Sequence, residues 1–221
     1  MIPLLHEPYL PLLRQALLSA TPPGAKIAVD VGCGDGTKSR WLRANCAAEA
    51  LVIGVDRDVA AVQAAAATII GIVGDAGALP LRDSCVDLIW CVAALALFTD
   101  RQRALAEMRR VLRPAGVLVI ATAGSYWVRL RQHPPSLLTS LPPTIPLPPA
   151  DGLGEEWTLL LTKAGFQDPQ MRAYLLDGDD PAQAALINSA DLAQYLGSPL
   201  VVGPIAEPEP RPLLLVVSAH R

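Results

Sequence analysis

The residues Val29-Asp30-Val31-Gly32-Cys33-Gly34-Asp35-Gly36-Thr37 put three glycines and two carboxylates at the end of an apolar run. Glycines so spaced let the backbone take positive φ and approach a ligand closely. Three ligand classes use such a loop: a nucleoside triphosphate, a dinucleotide, and a nucleoside that carries a positive charge. A triphosphate loop reads G-x-x-x-x-G-K-[ST], a pattern that the sequence does not complete from Gly32. A dinucleotide fingerprint reads G-x-G-x-x-G or ends in Ala, and here its last place is Thr37. Charge counts against phosphate as well. Asp30 and Asp35 flank the loop, and like charges at about 4 Å repel by roughly 1 kcal/mol in water and by more in a partly dry cleft. The same carboxylates attract a cation. Asp56, twenty residues beyond Gly36, is placed to accept from both hydroxyls of a ribose, a role that both nucleoside classes share.

These residues need rigid elements behind them. Apolar runs predict strands over Lys26 to Val31, Leu51 to Val55, Ile69 to Val73, Val86 to Val92 and Val117 to Thr122. Helical spacing falls between them, over Tyr9 to Ala20, Thr37 to Cys46 and Val59 to Thr68. A further helix opens on a capping-box pattern, Thr99 with Gln102. It carries the stripe Leu105, Met108 and Leu112 and stops at Pro114-Ala115-Gly116. This alternation predicts an α/β fold with a parallel sheet, whose ligands bind beyond the carboxyl ends of the strands. The glycine loop, Asp56 and Asp75 all stand at such ends and should converge. After the fifth strand the pattern breaks: His133 to Pro149 holds seven prolines and cannot form a helix or an inner strand. Helices over Gly154 to Ala164 and Ser189 to Leu196 and strands over Met171 to Leu176 and Leu213 to Ser218 complete the chain.

Four segments, "VDVGCGDGT", "VIGVDRD", "GDAGALPLRDSCVDLIWC" and "MRRVLRPAGVLVI", in this order and spacing, resemble the class I S-adenosylmethionine-dependent methyltransferases. Within them the chain is most similar to the group that includes the ubiquinone/menaquinone-type and other small-molecule methyltransferases. The resemblance covers Lys26 to Thr122, with an echo in "EEWTLLLTKAGF". It implies a Rossmann-like, doubly wound sheet of seven strands, mostly parallel, whose antiparallel last strand is inserted beside the sixth. It also implies one methyltransferase domain over 1–221: a helical cap over 1–24, a cofactor-binding half over 25–122, and a substrate-side half over 123–221. By resemblance the cofactor is S-adenosylmethionine. Asp30, Gly32, Cys33, Gly34 and Gly36 line its methionine and ribose end, Asp56 holds the ribose diol, and Arg57 lies beside the adenine. Asp75 with the Ala76 backbone reads the adenine edge, and Cys91 to Ala93 border the methionine tail. In "CVAALALFTD" apolar residues stand where many relatives show a His pair before a Leu.

Methyl transfer from a sulfonium is an in-line displacement from an already activated donor, so positioning dominates and a base is needed only if the acceptor must lose a proton. His6, His133 and Tyr126 are the candidates for such a base. For each, a surface or core position is the competing reading. The N-terminal helix, Tyr126 to Pro149 and the stretch near Tyr195 carry little charge, which predicts a small apolar or aromatic acceptor. A non-catalytic module that only holds S-adenosylmethionine is the competing reading of the whole.

Composition sets the outer bounds. Of 221 residues 52% are hydrophobic and 18% charged, enough apolar material for a real core. Surplus apolar surface would serve a lipophilic substrate or a second copy in a homodimer. The net charge of −3 lacks the basic footprint of a nucleic-acid binder. Arg101, Arg103, Arg109, Arg110 and Arg113 read as the solvated face of one helix. Cys33, Cys46, Cys85 and Cys91 show neither C-x-x-C nor zinc spacing, so no metal is expected and the thiols are reduced, as in cytoplasm. The longest central charge-free run, Leu88 to Phe98, is too short to cross a bilayer.

Overall fold

The computed structural model describes residues 10–130, 146–147, 159–175, 186–187, 200–204 and 211–221. Five strands, β1 (Ile27–Val31), β2 (Leu51–Asp56), β3 (Ile70–Val73), β4 (Val86–Val92) and β5 (Leu112–Leu130), run parallel to one another. After two-residue β6 (Pro146–Leu147) come β7 (Gln167–Leu175), β8 (Leu186–Ile187), β9 (Leu200–Pro204) and β10 (Arg211–His220). The order is β3-β2-β1-β4-β5-β10-β7, with β10 antiparallel to both β5 and β7. This is the expected seven-stranded sheet with its last strand inserted beside the sixth. The short strands β6 and β8 add to β7, and β9 adds to the far end of β5.

Strands β1 and β4 are buried along nearly their whole length, as parallel strands covered on both faces must be. Because side chains alternate across a strand, Ile89 and Cys91 join one apolar cluster while Leu88, Trp90 and Val92 join the other. Helix α4 (Arg101–Val111) seals the first cluster with Leu105 and Met108. Helix α1 (Leu10–Ala20) seals the second with Leu13, Ala16 and Leu17, one helical face. The short helices α2 (Ser39–Asn45) and α3 (Val59–Ala65) follow β1 and β2. The order of strand addition reverses between β1 and β4, the switch point at which doubly wound sheets hold ligands.

Several elements differ from expectation. Helix α4 is capped by Asp100, not Thr99: the Asp100 carboxylate accepts from Arg103 N at 2.9 Å, the reach an N-cap side chain needs. Gln102 instead donates to the Leu160 carbonyl (3.4 Å) in the helical stretch 159–163. Strand β5 starts at Leu112 and continues past Thr122. Pro114-Ala115-Gly116 is an irregularity inside it, between the pairs Val86↔Leu112 and Leu88↔Val117, with Ala115 at φ 63°. Of the proline-rich stretch, Pro146–Leu147 are described, on the outer side of β7, where a residue without N–H is tolerated. The helix expected over Ser189 to Leu196 lies outside the described residues. No helix among the described residues is long and apolar enough to cross a membrane.

Polar pins hold the layers together. Asp87 accepts from Lys26 N (3.0 Å), Ile27 N (2.8 Å) and Arg113 Nη1 (2.6 Å), fixing the start of β1 against β4. At the end of α1, buried Thr21 accepts from the fully buried Trp90 indole at 2.9 Å and donates to the Leu17 carbonyl at 2.7 Å. Thr21→Val keeps the shape but orphans the indole N–H, a cost of about 1–3 kcal/mol. The melting midpoint should fall by roughly 2–4 °C for each of these. Thr21→Ser should restore it, and calorimetric melting of the two variants checks both outcomes.

Candidate cofactor-binding site

A cavity of about 550 Å³ opens beyond the carboxyl ends of β1, β2, β3 and β4. Four connections wall it: the glycine loop, Asp56-Arg57, the turn 74–78, and the stretch 92–100. All but two of the cofactor residues expected from the sequence are on that wall.

The loop is tied down by its own backbone. Gly32 N and Cys33 N both donate to the Val55 carbonyl, at 2.8 and 3.2 Å, folding the loop across the end of β2. Gly32 has φ +76°, and a Cβ there would stand 2.4 Å from the Ala94 Cβ, so the loop rests directly on the turn after β4. Gly34, at φ +53°, donates its N–H to Asp56 Oδ2 (2.9 Å), and a Cβ on it would meet nothing within 4 Å. Gly36 departs from expectation. It is buried off the cavity wall, where a Cβ would press on Ala65 at 3.0 Å, so it makes the corner into α2.

Asp30 is the buried acid of the site, 1% exposed. Its Oδ2 accepts from Ser39 Oγ at 2.6 Å, while Oδ1 has no partner among the described residues. Burial pushes its carboxyl up to about 6, against the opposing pull of the Ser39 hydrogen bond and Lys38. Asp35 goes the other way, held below the usual carboxylate range by hydrogen bonds from Thr37. Burial, with Asp30 and Asp56 nearby, pushes the Cys33 thiol up to about 12, which leaves a neutral wall rather than a nucleophile.

Asp56 anchors the second connection. Besides Gly34, it accepts from Asp58 N at 3.0 Å, and an ionised carboxylate keeps lone pairs for a diol. Arg57 and Ala76 line the cavity. Asp75 accepts from Gly77 N at 2.6 Å through Oδ1, and its carbonyl accepts from Ala78 N at 3.0 Å. Cys91 is a correction: it is fully buried among the cluster that includes Ile89, and Val92, Ala93 and Ala94 form the wall instead. Strand alternation is the reason, since Cys91 shares a face with Ile89. Ala93, at φ +57°, turns the chain into the 3-10 turn Leu95–Leu97, and Leu97 is 67% exposed at the cavity. His6 and His133 lie outside the described residues. Tyr126 is placed by its backbone alone, in β5 opposite Arg211 and Pro204.

Sequence reasoning missed Lys38, Phe98 and Arg103, which also line the cavity. The arginines are not a plain solvated face either. Arg109 donates to the Gly165 carbonyl (2.8 Å), Arg113 lies beyond α4 on Asp87, and Arg103 and Arg110 hold the segment after β3. Arg103, Glu107 and Arg110 recur at i, i+4 and i+7, a spacing that marks one helical face without naming the backbone it holds.

Residues 29–120 match the methyltransferase domain family. Malonyl-[acyl-carrier protein] O-methyltransferase 1 of Coxiella burnetii is 40% identical over 96 residues, covering 43% of this chain and 33% of that protein. The ubiquinone/menaquinone biosynthesis C-methyltransferase of Acidiphilium cryptum is 59% identical over 44 residues, 20% of this chain and 18% of the relative. The chain thus spans a third or less of the length of these curated relatives. In fold it is similar to the YcgJ protein from Bacillus, with a TM-score of 0.59 at 17% identity, covering 98% of this chain and 99% of that one. An arsenic(III) S-adenosylmethionine methyltransferase from Chlamydomonas reinhardtii gives 0.57 at 21% identity, covering 94% and 73%.

The donor set fits a nucleoside that carries cations, because a buried carboxylate with one unpartnered oxygen lacks a positive group. Two outcomes are expected. Asp30 holds a proton in the folded chain between its unfolded value and about 6, so its contribution to stability is greatest at low pH and is lost as pH rises through 6. A cation favours the ionised form. Affinity for S-adenosylmethionine should therefore rise from pH 5 to pH 7, with proton release on binding near pH 5.5. Calorimetry in buffers of different ionisation enthalpy reads that release; Asp30→Asn should abolish it, and neutral adenosine should not produce it. Separately, Gly32→Ala forces Ala94 aside at positive φ and should weaken binding by at least about tenfold, roughly 1.4 kcal/mol, in the same titration. Strand order, motif order, the carboxylate-lined cavity and these likenesses agree: residues 29–120 match the methyltransferase domain family on the Rossmann-like fold of S-adenosylmethionine-dependent methyltransferases, and the donor set of the cavity suits S-adenosylmethionine as cofactor.

Proposed function

We propose that the chain transfers a methyl group from S-adenosylmethionine to a small, apolar or aromatic acceptor by in-line displacement. One observation carries the reading: carboxylates crowd the cavity around the glycine loop, whereas the wall from Val92 to Phe98 is apolar. When bound, S-adenosylmethionine supplies a methyl group already activated by its sulfonium. The chain's own residues then bind and orient. Asp30 balances positive charge, Asp56 accepts from the ribose hydroxyls, and Asp75 with the Ala76 backbone meets the adenine edge. Val92, Ala93, Ala94, Leu97 and Phe98 exclude water and hold the acceptor by apolar contact. None of these five side chains titrates, so their contribution is placement, worth up to about 7–11 kcal/mol in favourable cases. The names of the relatives, methyltransferases of malonyl-acyl-carrier protein, ubiquinone/menaquinone and tocopherol, support a small-molecule acceptor.

The same apolar wall favours a second reading, a module that holds the cofactor without turnover. Incubation with methyl-labelled S-adenosylmethionine and a panel of phenols, quinones and fatty acyl compounds separates the two. Acceptor-dependent formation of S-adenosylhomocysteine supports transfer. Tight binding with no turnover on any acceptor supports the module. In either case Asp56→Ala should weaken S-adenosylmethionine by ten- to more than a hundredfold, about 1.5–3 kcal/mol, in calorimetric titration. An unchanged dissociation constant would place the ribose elsewhere.

A further inference from the structure

Helix α4 presents Arg103, Glu107 and Arg110 at i, i+4 and i+7, one helical face. Each grips the backbone of the segment that follows β3. Arg103 Nε donates to the Gly77 carbonyl at 2.8 Å, and Glu107 accepts from Leu79 N at 2.8 Å. Arg110 donates to the carbonyls of Leu79 (3.0 Å) and Leu81 (2.9 Å). The lower two rungs form a closed ionic cluster, since Arg110 also pairs with Glu107 at 2.7 Å and Asp83 at 2.6 Å. The upper rung differs. Arg103 has no carboxylate partner among the described residues, and it alone of the three lies on the cavity wall.

The carbonyl that Arg103 holds belongs to the turn whose Gly77 N–H binds the Asp75 carboxylate at 2.6 Å. A Cβ on Gly77 would stand 3.1 Å from Asp75 Oδ1 and 3.4 Å from Arg103 Cδ, so the turn is packed between these two side chains. We propose that Arg103 is a positioning residue for the nucleoside base: through Gly77 it fixes the turn 75–78 and with it the direction in which Asp75 meets the amino edge of adenine. This rests on the assignment of Asp75 to the adenine. A single exposed hydrogen bond adds little to global stability. The effect of Arg103 therefore belongs in base selectivity, whereas Arg110 and Glu107 hold the segment as a whole.

The test is calorimetric titration of the full chain with S-adenosylhomocysteine and with S-inosylhomocysteine, which carries a carbonyl in place of the adenine amino group. The unaltered chain should prefer the adenosyl compound by about tenfold or more, the equivalent of one charge-assisted hydrogen bond. In Arg103→Ala the preference should fall to within about threefold while the melting midpoint of the ligand-free chain stays put. Arg103→Lys should recover part of the preference, since an ammonium can still donate to the Gly77 carbonyl. Arg110→Ala should do the reverse, lowering the midpoint and keeping the preference. An unchanged ratio in Arg103→Ala, or an equal loss in Arg110→Ala, overturns the inference. If Arg103→Ala does not fold, the ratio is read in Arg103→Lys, where a value equal to the unaltered chain's is likewise contrary. Failure of the unaltered chain to bind S-adenosylhomocysteine would overturn the site assignment itself, an outcome distinct from an unchanged ratio.

Discussion

An ionisable carboxyl enclosed at the end of β1, with one oxygen on Ser39 and the other without a partner, governs this structure. Removing a carboxylate from water is costly unless a charge or a full set of donors replaces the lost hydration. The Ser39 hydroxyl supplies only part of that replacement, and burial shifts the proton equilibrium of Asp30 upward. A cation arriving in the cavity completes it. On binding, Asp30 would thus exchange a proton for a cation. β2 and β4 pair with β1 on either side, and Asp30 is buried on the cavity wall at its end.

Much of this was legible in the sequence because two periodicities are hard to mistake. The apolar run of β4, interrupted by Asp87 alone, spans the same residues in sequence and structure, Val86–Val92, since a strand covered on both faces is apolar along nearly its whole length. The three glycines marked the loop, and the carboxylates at strand ends marked the cavity. Boundaries were harder. Asp100 and Thr99 both suit a helix cap, and which one serves depends on where α4 must sit to seal Leu105 and Met108. Pro114-Ala115-Gly116 spelled a stop, and it is one for the helix. The sheet, however, absorbed it as a local irregularity: pairing with β4 resumes at Val117, where pairing with β10 also begins.

Site residues failed in an instructive way. Gly36 and Cys91 sit within one or two positions of true wall residues, and local sequence does not say which side of a strand or turn faces the ligand. Arg103 failed for a different reason. Its partner is a backbone carbonyl 26 positions away, and a carbonyl has no residue type to betray it. Polar side chains that serve by holding main chain are invisible to motif reading, however regular their spacing.

The placement of β10 has a consequence for the order of assembly. Among the described residues strand β7 joins the five parallel strands through β10, and β5 offers β10 ten residues of pairing, from Tyr126 back to Val117. During synthesis the five parallel strands emerge before β10, so the outer flank of β5 is bare until β10 pairs with it. That flank is apolar, with Val117, Leu118, Val119 and Ile120 in its first half. Until β10 has paired with it, that flank is an open sheet edge. Docking of β10 closes that edge over ten residues and brings β7 with it.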